Sequence, residues 1–128
     1  MPTAVSILAQ TKNPEIRAAK AVSSIKTELY FGRNITGGET VSDNDWDKFL
    51  NDVVTPKFPS GLTVIDADGQ FRTDSGDIER EASKILILIY PKKDRKAANE
   101  KIETIRAAYI KTFRQMSVLR VDSRVDVY

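Results

Sequence analysis

Hydrophobic positions along this chain change period from segment to segment, and each change marks an element. From Ile25 to Phe31 they alternate, with Ile25, Thr27, Leu29 and Phe31 on one side and Lys26, Glu28 and Tyr30 on the other. That is the period of a strand. After a loop at Gly37-Gly38, Ser42-x-x-Asp45 reads as a capping start, and Trp46, Phe49, Leu50 and Val53 follow at helical spacing until Pro56 stops the helix. The β-branched run Gly61–Asp66 predicts a second strand that continues to Arg72 and turns at Asp74-Ser75-Gly76-Asp77. A return strand ends in Lys84–Tyr90, and Asp68-Gly69 reads as a bulge in this long bent hairpin. Arg95 to Arg114 carries Ala98, Ile102, Ile105, Tyr109 and Phe113 on one helical face. Val118 to Tyr128 then alternates strictly, Leu119, Val121, Ser123, Val125 and Val127 against Arg120, Asp122, Arg124, Asp126 and Tyr128. The last segment is a strand with one wet or ion-paired face.

The order β-α-β-β-α-β predicts an α+β, ferredoxin-like domain: a four-stranded antiparallel sheet with two helices on one face. Residues 25–128 form this single domain. Residues 1–24 are an N-terminal arm or short helix, with Asn13 as N-cap and Pro14 at the first helical position. Every position from Ile85 to Tyr90 is apolar, so both faces of that strand should be dry, yet two helices cover one face only. A homodimer through the sheet face or edge, or the arm, is expected to cover the other.

The motifs Leu29-Tyr30-Phe31-Gly32-Arg33, Thr55-Pro56-Lys57-Phe58-Pro59 running into Gly61-Leu62-Thr63-Val64, Gly69-Gln70-Phe71, Glu81-x-Ser83-Lys84 and Gln115-x-Ser117-Val118-Leu119-Arg120 together resemble a bacterial family known as domain of unknown function three-five-seven-four. The resemblance spans about Ile25 to Val121, with Phe71 where the family suggests Trp. It implies the domain limits and no activity. Relatives often look exported; this chain shows no signal-like start, and a cytoplasmic location is expected.

Composition narrows the chemistry. With no Cys and no His, thiolate nucleophiles, zinc ribbons, Ser-His-Asp triads and imidazole ligands are excluded. Asp66, Asp68, Asp74 and Asp77 suggest calcium, but an EF-hand register starting at Asp66 puts Phe71 where Gly is required. No metal and no cofactor is expected. No apolar run is long enough to span a bilayer. The net charge of +2 conceals a −7 segment from Asn34 to Glu81 and a +6 segment from Pro91 to Arg120, halves that attract each other within the fold or across a homodimer.

Two groups of side chains are candidate sites. Tyr30 and Arg33 on the first strand should lie beside the last strand, and Arg120 and Asp122 share the face of Tyr30 if the registers align. Tyr30, Arg33 and Arg120 would then clamp a carboxylate or phosphate; the structural alternative is an ion-paired sheet face. Gln70, Arg72, Glu81, Ser83 and Lys84 cluster on the hairpin, where Glu81 and Lys84 could exchange protons with a small molecule or simply pair with each other. Nucleic acid is disfavoured: Tyr30 and Tyr90 could stack bases, but the third strand lacks the glycine-aromatic signature. Pro2, a secondary amine once Met1 is removed, sits on the arm rather than on a patterned strand. No residue is assigned a catalytic role. The expected function is a non-catalytic dimeric module binding a small anionic or amphipathic ligand or a protein partner. The alternative is a cofactor-free enzyme, monooxygenase- or isomerase-like, of a dimeric α+β barrel.

Overall fold

A computed structural model describes residues 20–128; the expected arm helix after Asn13, and Pro2, lie outside the described residues. The elements run β1 (Val22–Gly32), α1 (Asp43–Phe49) continuing into a π-helical turn (Leu50–Val54), β2 (Thr63–Arg72), β3 (Ile78–Pro91), a 3-10 turn (Lys92–Asp94), α2 (Arg95–Phe113) and β4 (Leu119–Val127). The sheet order is β2-β3-β1-β4, antiparallel throughout. This is the expected α+β arrangement.

Alternation in β1 decides the layering. Ile25, Leu29 and Phe31 are buried, and their partners Tyr90 and Leu86 across β3 face the same side. α2 presents all five of its predicted apolar residues to this side. The centre is aromatic: the ring of Phe31 lies 4.7 Å from Tyr109 and 5.2 Å from Trp46. Ser42 caps α1 as expected, its hydroxyl accepting the Asp45 N–H at 3.0 Å. The π-helical turn, closed by the Thr55 N–H donating to Leu50 O, inserts one residue into the helical phase. Val54 rather than Val53 is therefore fully buried.

Asp68-Gly69 forms no bulge. The β2–β3 register is uninterrupted from Thr63↔Ile87 to Arg72↔Ile78, because Gly69 on an edge strand accommodates the twist without an inserted residue. β3 outruns its pairing with β1, which ends at Gly32↔Ser83, so the distal hairpin projects as a two-stranded ribbon. Its turn is where the Asp74–Asp77 cluster predicted it, with the Thr73 N–H donating to Asp77 O at 2.8 Å and Gly76 at φ 91°.

The second face of the sheet bears Tyr30, Lys26 and Glu28 along β1 among apolar neighbours. Val22, Ile65, Phe71, Ile89, Leu119, Val121 and Val127 are each 37–60% exposed. No element among the described residues covers them.

Candidate functional site

Strand parity places each predicted site residue. Leu29 pairs with Arg120 and Thr27 with Asp122, whereas Tyr30 pairs with Leu119. Arg120 and Asp122 thus lie on the helix side of the sheet and Tyr30 on the open side, so the expected common face is corrected. The reason is that α2 offers polar partners: Arg120 donates to Asn99 Oδ1 and Glu103 Oε2, both at 2.8 Å, and to the Asp122 carboxylate at 3.1 Å. Arg33 also points away from Tyr30, donating to Val41 O at 2.8 and 2.9 Å and to Asp43 at 2.8 Å. The three-residue anion clamp does not assemble. Tyr90 is buried on the helix side, opposite Ile25, so no base-stacking pair with Tyr30 forms either.

The hairpin group divides by the same rule. Gln70, Arg72 and Lys84 face the helix side, where Lys84 pairs with Asp66 and Gln70 accepts from Arg80 at 3.0 Å. Glu81 and Ser83 face the open side. Positions 81 and 84, three apart on a strand, cannot share a face, so the expected Glu81–Lys84 pair is absent.

Two polar systems result. On the helix side, Thr27 is wholly buried and donates to Asp122 Oδ1 at 2.7 Å, which leaves the Tyr90 hydroxyl as donor to Thr27 Oγ1 at 2.8 Å. Partial desolvation pushes the Asp122 carboxyl up, but hydrogen bonds from Arg120 and Thr27 and the Arg120 charge outweigh it and leave the pKa lowered. Glu103 is lowered the same way, its desolvation outweighed by Arg106 and Arg120. Groups with depressed folded-state pKa values stabilise the fold above the unfolded carboxylate range, about 3.9–4.3, and that contribution is lost as pH falls through the folded values. Urea-unfolding stability is expected to be flat above about pH 5 and to decline below it. Asp122→Asn should be less stable at neutral pH and show a shallower acid decline; an equal slope in both proteins would exclude this network as a source of acid sensitivity.

On the open side, at the Gly32 end of β1, lies a cleft of about 590 Å³. Tyr30, Gly32 and Ser83 lie on its sheet face, Phe71, Glu79 and Glu81 come from the projecting ribbon, and Asn34, Arg114, Gln115 and Leu119 stand on the remaining rim, with Arg114 4.0 Å from Glu39. The Glu81 carboxylate accepts the Asn34 N–H at 2.9 Å and occupies the place of a side chain at position 32: a Cβ there would stand 2.7 Å from Glu81 Oε2. Beneath the sheet the Tyr109 hydroxyl, its pKa pushed up by burial, donates to Gly32 O at 2.6 Å. Gln115 ties the rim by donating to Asn34 O at 2.7 Å. The Tyr30 hydroxyl donates to Glu28 at 2.9 Å, and that bond raises its pKa. The cleft therefore combines an aromatic and aliphatic wall with a fixed carboxylate. Of the predicted site residues it brings together Tyr30, Glu81 and Ser83. Gly32, Phe71, Gln115 and Leu119 were not predicted as site residues, although all belong to the segments on which the family resemblance rests.

A larger cleft, about 770 Å³, lies between the start of α2 and β4 and is lined by Lys92, Lys93, Arg95 and Lys96 beside Arg120 and Asp122. No helix among the described residues is long and apolar enough to cross a membrane.

A family model described as "Protein of unknown function (DUF3574)" matches residues 26–128. No curated protein matches the chain. Among solved structures, a phage SAM lyase in complex with S-methyl-5'-thioadenosine is similar, with a TM-score of 0.56 and 16% identity over 81% of this chain and 88% of that one. A phage SAM lyase in the apo state matches with a TM-score of 0.56 and 14% identity over 82% and 89%. At this identity the likeness is one of fold.

Proposed function

The chain belongs to the DUF3574 family, and we propose that it is a self-associating binding module whose open-face cleft takes a small amphipathic ligand. The observation that carries this reading is the Glu81 carboxylate, held over Gly32 and beside Tyr30, Phe71 and Leu119, in a cleft of about 590 Å³. Pockets that join an apolar wall to a few placed polar groups are the usual form of a small-molecule site. Glu79 and Glu81 outnumber Arg114, itself 4.0 Å from the Glu39 carboxylate, and so disfavour an anion there, while Arg33 and Arg120 are engaged on the other face. A flat apolar body with hydrogen-bonding or cationic substituents fits instead. The exposed apolar face around the cleft supports self-association, since a patch of this kind commonly marks an interface.

S-methyl-5'-thioadenosine, which the similar phage lyase binds, is the natural first probe, with a panel of nucleosides and aromatic amines. Calorimetric titration is expected to show saturable binding that weakens at least about tenfold in Tyr30→Ala and in Glu81→Gln. Absence of binding across the panel, or binding indifferent to both substitutions, would sink the reading. The catalytic alternative rests on the same carboxylate: a Glu81→Gln protein that bound a ligand normally while ceasing to convert it would favour an enzyme.

A further inference from the structure

The self-association just proposed leaves open which surface mediates it, and β4 carries a pattern that specifies one. β4 is an edge strand of nine residues without proline, and its register with β1 is unbroken from Leu119 to Val127. Edges of this length are ordinarily blunted by bulges, proline, shortening or charged side chains, and β4 has only the last of these, as a stripe of alternating sign that repels most partners and suits one. Outward from Ser123 the sequence is mirrored in polarity and inverted in charge. One step out, Asp122 mirrors Arg124; two steps, Val121 mirrors Val125; three, Arg120 mirrors Asp126; four, Leu119 mirrors Val127.

We infer that β4 pairs antiparallel with β4 of a second copy across a two-fold axis at Ser123, joining two sheets into one of eight strands. This rests on the self-association reading and gives it a location. In that register Arg124 opposes Asp122 of the second copy and Arg120 opposes Asp126, all on the helix side. Val121 opposes Val125 and Leu119 opposes Val127 on the open side, where these exposed and half-buried side chains pack against one another across the seam and cover part of the apolar face. Arg124 and Asp126 have no ion-pair partner among the described residues, so the pairing gives each one. Asp126 also arrives beside the Arg120 end of the cleft lined by Lys92, Lys93, Arg95 and Lys96, where the charge is complementary.

Alternative registers are penalised. A slip of two residues opposes Arg124 to itself and Asp122 to Asp126, or Asp122 to itself and Arg120 to Arg124, so every attraction becomes a repulsion. A slip of one residue sets charged side chains against the apolar face. The other edge, β2, has no such symmetry, since pairing about Ala67 sets Asp66 against Asp68.

A chain without cysteine gives a direct test. Opposed residues of an antiparallel pair have Cα atoms about 4.5–5.5 Å apart, within disulfide range, so Ser123→Cys should cross-link to itself under mild oxidation. Val125→Cys, whose copies would lie about 13 Å apart along the strands, should react at least about tenfold more slowly. Wild-type protein should sediment as a dimer at micromolar concentration, and Arg124→Glu should weaken that dimer at least about tenfold and remove much of its salt dependence. A monomeric wild type would overturn self-association and this edge together. A dimer in which Ser123→Cys reacts no faster than Val125→Cys would overturn the edge alone, with self-association through another surface.

Discussion

Phe31→Ala is expected to lower the free energy of unfolding by about 3–5 kcal/mol, the range for deleting a buried aromatic ring, and Tm by roughly 12–25 °C. Phe31 is fully buried at the meeting point of both layers, with Trp46, Phe49 and Tyr109 ring centroids 4.7–6.0 Å away. Those neighbours come from α1 and α2, which reach the site from different directions and cannot both move inward to fill the void. Phe31→Leu, which keeps most of the volume, should cost about 1–2 kcal/mol. Urea denaturation of both variants measures the difference. A loss below about 1.5 kcal/mol for the alanine variant would mean that the aromatic cluster collapses freely, contrary to the packing described.

Gly32→Ala should separate fold from site in the opposite sense. A methyl group at position 32 would stand 2.7–2.9 Å from the Glu81 carboxylate, so something must move. What it meets is the end of a flexible side chain, and the backbone at Gly32 is not in the left-handed region that demands glycine. Stability should therefore change by no more than about 1 kcal/mol. The carboxylate, however, would leave Asn34 and the cleft. Ligand affinity should fall at least about tenfold, as expected when a placed charged partner is lost. Paired unfolding curves and titrations read both effects. Unchanged affinity would show that Glu81 does not hold the ligand, and a large loss of stability would show that its bond to Asn34 is a structural staple.

Layering and topology were legible because period-2 and period-3.6 stripes report burial directly. All five α2 positions assigned to the core lie in it, and β1 and β4 lie where their alternation put them, although β1 begins at Val22, three residues inside the segment assigned to the arm. Parity between strands was not legible. The charged stripe of β4 looked solvent-facing and suited to Tyr30, yet it lies on the helix side, where Asn99 and Glu103 on α2 receive Arg120. Only the pairing Leu29↔Arg120 reveals that. Val53 misled for a related reason: the π-helical turn shifts the phase by one residue, and no residue type announces such a turn. The cleft was missed as a whole because its members come from four segments distant in the chain. Its one local signal was Gly32 at the end of an otherwise large-residue strand, a sign of close approach.

The projecting ribbon gives the cleft two unlike jaws. Tyr30 stands on β1 between β3 and β4, and Gly32, paired with β3 alone, is anchored from beneath by the Tyr109 hydroxyl, so this wall should exchange its amides with solvent far more slowly than the ribbon. Phe71 and Glu79 stand on a stretch held by a single partner strand, and such hairpins open at far lower free energy. One wall of the cleft is thus a fixed template and the other a compliant finger, so under the binding reading proposed above, ligands of different thickness would be accommodated by the ribbon without disturbing the sheet.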